Sequence, residues 1–451
     1  MGYNKVISFA LLILILLHPL TFAWAQSAGI RSPDISALTT KYLDQTDGMS
    51  ADKAVAFALA NNDELAAART EIEAARGLVK QARLRPNPHV ELSRQEQIGG
   101  ADNDTIIAGS LPLELGGRRR TRINVAEAEL AVREKDVANR ERLLAAEVRA
   151  KFGAALANKL KLKLIEDLLA TAVNSFQLVQ ARVTEGKTAP LEENMTLVEV
   201  NRLRSVRETE AGNTEISLLE LRNLLGMKPE ESLRLDGDFK DLLAPVSTVF
   251  EATQQALQTR PDLLAMKFLE RLAAANIEQA RAGGRIDASL SAGYGRNSFG
   301  FPVNGITNTG ALRPVQDVFH SFKFGIMLEI PVRNRNQGAI EAAIANSEAA
   351  SKRFEFAELT VRREVAAAFA RYQSSARAIE IFRVGVRDQA NANLDVVRQT
   401  YELGARNLIE YLIEQRRFIE LENEFIDVQL AVYRARVEIL QTTNAPELIT
   451  K

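Results

Sequence analysis

The chain has 451 residues, a formal net charge of −1, 46% hydrophobic residues and 25% charged residues. This composition is typical of a globular protein with enough chain for two domains or one large one. The near-neutral charge gives no general reason to expect nucleic acid as a partner. The chain contains no cysteine, which excludes disulfides, thiolate metal sites and a lipid-bearing cysteine.

Residues 1–25 predict a signal peptide for export. Lys5 supplies the positive start, residues 6–17 form an apolar run, and Ala23-Trp24-Ala25 fits a small-x-small cleavage site. The alternative, a membrane anchor, is disfavoured because the apolar run is short for a span. Residues 26–48 are polar and mixed, and we expect them to be irregular. No later stretch approaches about 18 continuous apolar residues, so any entry into a membrane must use strands.

Residues 49–226 predict a first unit that begins with a helix and a β-hairpin. The alanine-rich helix runs from Met49 to Arg83 and ends before two prolines, which cannot continue it. The hairpin occupies residues 89–115 and has a polar tip. In its second strand, Ile107, Gly109 and Leu111 alternate with Ala108 and Ser110, as expected for a strand with two unlike faces.

A very long proline-free helix follows, from Arg119 to Gln180. A helix of that length reaches about 90 Å. A glycine-bearing turn at residues 184–190 leads to a returning helix from Leu191 to Leu225. The run of cations at Arg118–Arg122 opposes the helix dipole and needs compensation. Two partners are open: lipid phosphate groups, or Glu127 and Glu129 on the same helix.

Residues 251–443 repeat this order after a connecting segment, residues 227–250, and end before a C-terminal tail, residues 444–451. Asp262 to Ser291 matches Glu64 to Ser93 at a constant offset of 198 positions. The second hairpin is residues 287–331, with strands Asp287–Arg296 and His320–Pro331 around a long loop. The second long helix runs from Gln337 to Thr400, and its turn is residues 401–406. The chain is therefore read as a tandem duplication.

The helices carry the seven-residue spacing of coiled coils. One series comprises Leu412, Ile419, Ile426, Tyr433 and Leu440, and another comprises Val365, Tyr372, Ile379 and Val386. An ordinary helical bundle explains these stripes equally well, but it does not explain the hairpins between the helices.

The strands alternate apolar and polar residues, most clearly where Phe322, Phe324 and Ile326 flank Lys323 and Gly325. Such alternation suits a strand with one face in lipid and the other in water. A soluble sheet that caps a helical bundle is the alternative. Four strands cannot close a barrel, and unpaired strand edges are prohibitive in lipid. If these strands lie in a membrane, the chain must oligomerise.

Two motifs follow the hairpins, Leu111-Pro-Leu-Glu-Leu-Gly-Gly117-Arg118 and Ile330-Pro-Val-Arg-Asn-Arg-Asn336-Gln-Gly338. With these motifs and its duplicated layout, the sequence resembles the TolC-like outer-membrane efflux channel family over nearly all of the mature chain. These two motifs resemble most closely the branch that serves cobalt-zinc-cadmium and related heavy-metal pumps.

The resemblance implies a mainly α-helical protein with a transmembrane β-barrel. Three protomers would form a homotrimer with one twelve-stranded β-barrel in outer-membrane lipid, continued by a periplasmic α-helical coiled-coil barrel. The helical tips would meet a periplasmic membrane-fusion adaptor and an inner-membrane pump, of the resistance-nodulation-division type. The expected location is the outer membrane of a Gram-negative cell.

The resemblance also implies a periplasmic gate at the tips. Tyr401, Gly404 and Arg406 fit the family's Tyr-x-x-Gly-x-Arg pattern, with Glu410 six positions after the glycine and Glu192 at the matching position of the first half. Arg406 bonded to an acid such as Glu192 would latch the closed form. A ring of three Glu410 copies would repel unless it bound cations. The plain alternative is that these acids lie on solvated helix faces. The turn residues expected to dock the adaptor are Gly186, Lys187, Gly404 and Ala405.

No phosphate loop, nucleophile elbow or zinc-hydrolase helix is found in the sequence, so we expect no enzyme activity, no cofactor and no dedicated metal site. The predicted function is a passive exit duct of a tripartite efflux pump, for heavy-metal cations. Two alternatives remain open: a channel of the same family for drugs or other small molecules, and a periplasmic coiled-coil adaptor.

Overall fold

A computed structural model describes residues 48–98, 100, 102–239 and 248–449. The predicted signal peptide, most of the predicted irregular segment and part of the predicted connecting segment lie outside the described residues.

The first half begins with two helices where the sequence predicted one. Helix α1 spans Ala51–Asn61 and helix α2 spans Asp63–Arg83. Between them, the Asn62 side chain accepts a 2.9 Å hydrogen bond from the Leu65 amide and donates a 3.0 Å bond to the Leu224 carbonyl. Asparagine is a favoured N-cap residue. The prediction of one continuous helix is wrong because this cap starts a new one.

The first hairpin and the first long helix are confirmed. Strand β1 spans His89–Glu96 and strand β2 spans Asn103–Pro112. Helix α3 spans Arg118–Thr184, 67 residues, which corresponds to about 100 Å. Helix α4 returns over Pro190–Leu225.

The second half repeats the same order of elements. The break between its first two helices falls at Arg260, 198 positions after Asn62. Its elements are α5 (Val249–Thr259), α6 (Pro261–Gly283), β3 (Asp287–Ile306), β4 (Leu312–Glu329), α7 (Gln337–Phe382), α8 (Asp388–Glu402) and α9 (Leu408–Thr443).

One prediction for the second half is wrong in detail. The expected loop between Arg296 and His320 is instead extended chain, because β3 and β4 stay paired out to Ile306 opposite Leu312, with one irregularity after Gly300. The second long helix is confirmed and runs from Gln337 to Glu402. A π-helical turn at Arg383–Arg387 lies between its two α-helical parts, α7 and α8.

The four strands form one antiparallel sheet in the order β1-β2-β3-β4. Residues that face each other across paired strands point to the same side, so the register assigns every side chain to a face. One face is almost wholly apolar, and its large side chains are exposed, which confirms the predicted alternation. Its members include Val90, Leu92, Ile107, Leu111, Leu290, Phe322, Phe324, Ile326 and Leu328. The opposite face carries Glu91, Ser93, Ser110, Ser289, Ser291 and Lys323.

The largest core lies in the helical part, where α1, α3, α4 and α9 meet around Phe152 and Tyr433. Gly153 allows this contact, because a Cβ there would lie 2.4 Å from the Tyr433 ring. All five members of the predicted heptad series on α9 are buried, which confirms that stripe. The α7 series is buried only at Val365 and half-buried afterwards. Among the described residues, no helix has a stretch long and apolar enough to cross a membrane.

Candidate functional site: the helical tips and the membrane junction

The first tip joins α3 to α4 through a turn that requires glycine. Gly186 has φ +70°, and the amides of Gly186 and Lys187 bond the carbonyls of Val183 and Arg182, each at 2.9 Å. This is the usual left-handed helix end, which favours glycine. The Lys187 ammonium lies 2.8 Å from the Glu185 carboxylate, and its side chain is well exposed. The predicted docking residues therefore sit at the very end of the helical pair.

The second tip joins α8 to α9 with the same geometry. Gly404 has φ +76°, and the amides of Gly404 and Ala405 bond the carbonyls of Tyr401 and Thr400, each at 2.9 Å. The side chain of Asn407 then caps α9 by accepting the Glu410 amide at 2.9 Å. Leu403, between these groups, is 83% exposed. The two tips therefore present matching turns, and the second adds an uncovered leucine.

The predicted gate tyrosine packs against another tyrosine. The rings of Tyr401 and Tyr411 stack with centroids 5.6 Å apart and planes 3° from parallel. Burial, and after it the charge of Glu192, raises the pKa of Tyr401. The charge of Glu192 on α4 therefore acts on Tyr401 on α8, which belongs to the other half of the chain.

The predicted gate arginine contacts the other predicted acid. The Arg406 guanidinium lies 2.8 Å from the Glu410 carboxylate, and both side chains are about half exposed. No contact between Arg406 and Glu192 occurs within the described part of the protomer. Glu192 and Glu410 each lie in the first turn of a helix, where a negative charge stabilises the helix dipole.

An ion-pair cluster that sequence reasoning missed joins the two helical pairs two turns above Glu192. Glu199 on α4 is buried, and its carboxylate lies 2.6 Å from Arg202 and 3.2 Å from Arg416 on α9. Burial alone would raise the pKa of Glu199, but hydrogen bonds and charges from these arginines outweigh it, and the pKa is lowered. In the sequence, the signal that could have identified Glu199 was its position seven residues after Glu192.

The arginine run at the start of α3 has partners that the sequence did not reveal. Arg119 bonds the Arg83 carbonyl at 2.6 Å, and Arg122 bonds the carbonyls of Ala82 and Leu84 at 3.1 and 3.0 Å. Arg122 also pairs with Glu114. These cations therefore bind the C-terminal carbonyls of α2, where the dipole is negative.

Arg118 extends this junction to the second half of the chain. Its guanidinium bonds the carbonyls of Gly283 and Arg285 at 3.3 Å and lies 3.1 Å from Asp287, the first residue of β3. Of the two predicted acids, Glu127 pairs with Arg83 instead. The alternative in which Glu127 compensates the run is therefore not observed, and the partners of Arg118, Arg119 and Arg122 are backbone carbonyls and acids near the strand ends. The alternative with lipid phosphate groups stays a prediction.

The whole architecture matches one family. Residues 55–227 and 252–445 match the sequence model of the outer membrane efflux protein family. The chain belongs to this family. It is accordingly an outer-membrane protein of the Gram-negative type whose helical part extends into the periplasm, and both its family and its fold are those of channel proteins rather than enzymes.

Two relatives share most of their length with this outer membrane efflux protein. The cobalt-zinc-cadmium resistance protein CzcC of Cupriavidus metallidurans is 23% identical over 397 residues, covering 87% of this chain and 89% of the relative. The outer membrane protein OprJ of Pseudomonas aeruginosa is 26% identical over 392 residues, covering 83% and 79%.

Solved structures agree with the fold. A CusC structure superposes with a TM-score of 0.72 at 20% identity, covering 90% of this chain and 95% of that one. A membrane protein of Pseudomonas aeruginosa gives a TM-score of 0.70 at 23% identity, covering 90% and 94%. In the described part of the chain, no group of three or more His, Asp and Glu side chains is arranged to hold a metal ion.

Proposed function

We propose that the protein is a homotrimeric outer-membrane channel and the passive exit duct of a tripartite efflux pump, with heavy-metal cations as cargo. The observation that carries the proposal is the four-stranded sheet with one exposed apolar face. Phe322, Phe324 and Ile326 are 72%, 83% and 68% exposed. A surface of that kind is unstable in water and stable in lipid.

The edges of the sheet supply the argument for three copies. Strands β1 and β4 each pair on one side only. Each unpaired backbone group in a lipid core costs several kcal/mol, so both edges need partners. If β1 of one protomer pairs with β4 of the next, three protomers close a twelve-stranded barrel with the apolar face outward and the polar face lining the lumen.

The cargo assignment rests on the relative named for cobalt, zinc and cadmium resistance and on the two motifs that follow the hairpins. A passive duct needs no tight site for its cargo, because the inner-membrane pump supplies the energy and the adaptor docks the pump to the tips. The second candidate cargo, drugs or other small molecules, belongs to the same architecture, and the comparable similarity to OprJ keeps it in the experiment.

The proposed gate combines Tyr401, Arg406, Glu192 and Glu410, with Glu199–Arg416 as a further tie. In the closed form, Tyr401 packs against Tyr411 beside Glu192, and Arg416 holds α9 against α4. Opening requires α8 and α9 to move away from α4, which breaks the 3.2 Å contact between Arg416 and Glu199. The tips at Gly186, Lys187, Gly404 and Ala405 are where the adaptor docks and biases this movement.

The trimer is tested by cysteine cross-linking, which is clean because the natural chain has no cysteine. Single cysteines replace Leu92 on β1 and, in turn, Phe322, Phe324 and Ile326 on β4. Within one protomer these strands are about 14 Å apart, whereas a disulfide needs Cα atoms within about 7 Å. Covalent dimers and trimers on oxidation support the barrel. Monomers for every pair contradict it, as does a soluble periplasmic monomer, which would favour the adaptor alternative.

The cargo is tested by growth of a strain that lacks the protein, across graded zinc, cobalt, cadmium, nickel and copper and a panel of dyes and antibiotics. We expect sensitivity to metals alone, restored by the intact gene. Sensitivity to organic compounds alone would keep the channel and contradict the metal cargo.

A further inference from the structure

A line that contains two arginines and a histidine crosses the sheet on its apolar face. The register sets Arg94 opposite Thr105, Thr105 opposite Arg296, and Arg296 opposite His320. Because opposed residues share a face, all four point to the same side. We call these four residues the cationic row.

The row marks the end of the apolar face that lies far from the helices. On the same face, the next set of paired residues toward the helices is Leu92, Ile107, Tyr294 and Phe322. In the opposite direction, β1 and β2 end one residue pair beyond the row. From exposed Ile330 to His320, ten residues of strand cover about 33 Å. A strand tilt of about 40° reduces this to about 25 Å, the height of the apolar band of an outer-membrane barrel.

The two arginines of this row differ in their partners. Arg296 is exposed and makes no ion pair or side-chain hydrogen bond within the described residues. Arg94 is 2.5 Å from Glu96, and both are exposed. Nδ1 of His320 lies 2.6 Å from the Tyr294 hydroxyl. When that hydroxyl donates the bond, the imidazole carries a proton on Nε2, which points a second donor away from Tyr294.

A neighbouring protomer cannot supply the missing acid from its paired strand. The acids of β4 are Asp317 and Glu329, and both alternate onto the face opposite His320. If β4 of the next protomer pairs with β1, its acids therefore face the lumen. An arginine left unpaired at the border of a lipid face is expensive, so an anion from the surroundings must meet it.

We propose that the cationic row binds the phosphate groups of the phosphorylated glycolipid that forms the outer leaflet. The proposal rests on the proposed function, since it needs the apolar face to lie in the membrane. Phosphate oxygens accept guanidinium donors in pairs. Arg94 and Arg296, two strands apart, are separated by about 10 Å, which lets them hold separate phosphates. Three protomers would then carry a ring of such sites around the barrel.

The test is native mass spectrometry of the purified trimer in detergent, titrated with diphosphorylated lipid A or with its dephosphorylated analogue. We expect the wild type to prefer the phosphorylated lipid. The double variant Arg94→Gln/Arg296→Gln should bind it at least about tenfold more weakly, since each arginine gives charge-assisted hydrogen bonds. Binding of the dephosphorylated analogue should not change.

The matched control is Arg333→Gln/Arg335→Gln, which removes the same charge from two exposed arginines at the helical end of the sheet. An equal loss in the control would overturn the proposal, because the effect would be one of net charge. Inorganic phosphate that binds as tightly as the lipid would identify a free-anion site and overturn it as well. A spectrum without trimers would contradict the proposed function instead, so the two failures are distinguishable.

Discussion

The two ends of the helical part are built to opposite rules. At the membrane junction, Arg118, Arg119 and Arg122 bind the backbone carbonyls of two other helices and the acids at the strand ends. At the tips, Arg406 lies in the turn before α9 and has one charged partner among the described residues, Glu410 in the first turn of α9. The junction therefore ties helices to strands through several partners, whereas the tip arginine has a single one.

Glycine is used differently at the two ends. Gly284, between α6 and β3, has an ordinary backbone conformation, but a Cβ there would lie 2.1 Å from the Arg335 carbonyl oxygen. Gly404 has a left-handed backbone but nothing within 4 Å of its Cβ position. Gly284 is therefore needed for close approach, and Gly404 only for a turn.

The first prediction compares alanine substitutions of Gly284 and Gly404. Gly284→Ala forces backbone apart at the junction and should destabilise the trimer by about 3 kcal/mol or more. Gly404→Ala only strains one left-handed residue, at about 1–2 kcal/mol. The measurement is the temperature at which each trimer dissociates on a gel. Equal dissociation temperatures for the two variants would contradict the difference between Gly284 and Gly404.

The same substitution at both ends gives the second test. Arg122→Gln loses the pairing with Glu114 and two carbonyl bonds, and should lower the free energy of unfolding by about 1–3 kcal/mol. Arg406→Gln loses one exposed ion pair between the turn and the first turn of α9, about 0.2–1 kcal/mol. Chemical denaturation of the two purified variants measures both, and a larger loss for Arg406→Gln would contradict the greater stability assigned to the junction contacts.

The tie between the helical pairs should be stronger than the tip contact and sensitive to pH. Because the folded pKa of Glu199 is lowered from its ordinary value of 4.5, its stabilisation is complete above about pH 4.5 and is lost as the pH falls through the lower folded value. Glu199→Gln should cost about 1–3 kcal/mol at neutral pH.

The pH profile is the readout for that variant. Thermal unfolding of the wild type should lose more stability than Glu199→Gln between about pH 6 and pH 3. Glu193→Gln, at a half-buried glutamate in the first turn of α4, is the control and should follow the wild type. If the stability of the wild type and of Glu199→Gln fell equally as the pH is lowered, the Glu199 carboxylate would not be the group that joins the helical pairs.

The sequence predicted the elements better than the contacts between them. Strand faces and the α9 heptads follow from local periodicity, and they are confirmed. The break at Asn62 was missed because its cap depends on the Leu224 carbonyl, which is remote in sequence. The partners of the arginine run were missed for the same reason, since the carbonyls at Arg83 and Gly283 are reached only after folding.

The predicted gate shows more clearly which contacts cannot be predicted from the sequence. A motif placed Tyr401, Arg406 and Glu410 together, and in the structure the charge of Glu192 contributes to the raised pKa of Tyr401. The buried Glu199 was not predicted, because a glutamate inside a helical pair is stable only with arginines from two helices. The role of all these residues in gating stays a prediction.

We propose that the firmly tied membrane end carries a periplasmic tip that moves to open and close the channel. The most direct measurement is single-channel recording in planar bilayers of the wild-type trimer beside the double variant Tyr401→Phe/Arg406→Ser. We expect the wild type to be mostly closed and the variant to be open for a larger fraction of the time, at an unchanged barrel conductance. Identical open fractions would contradict it.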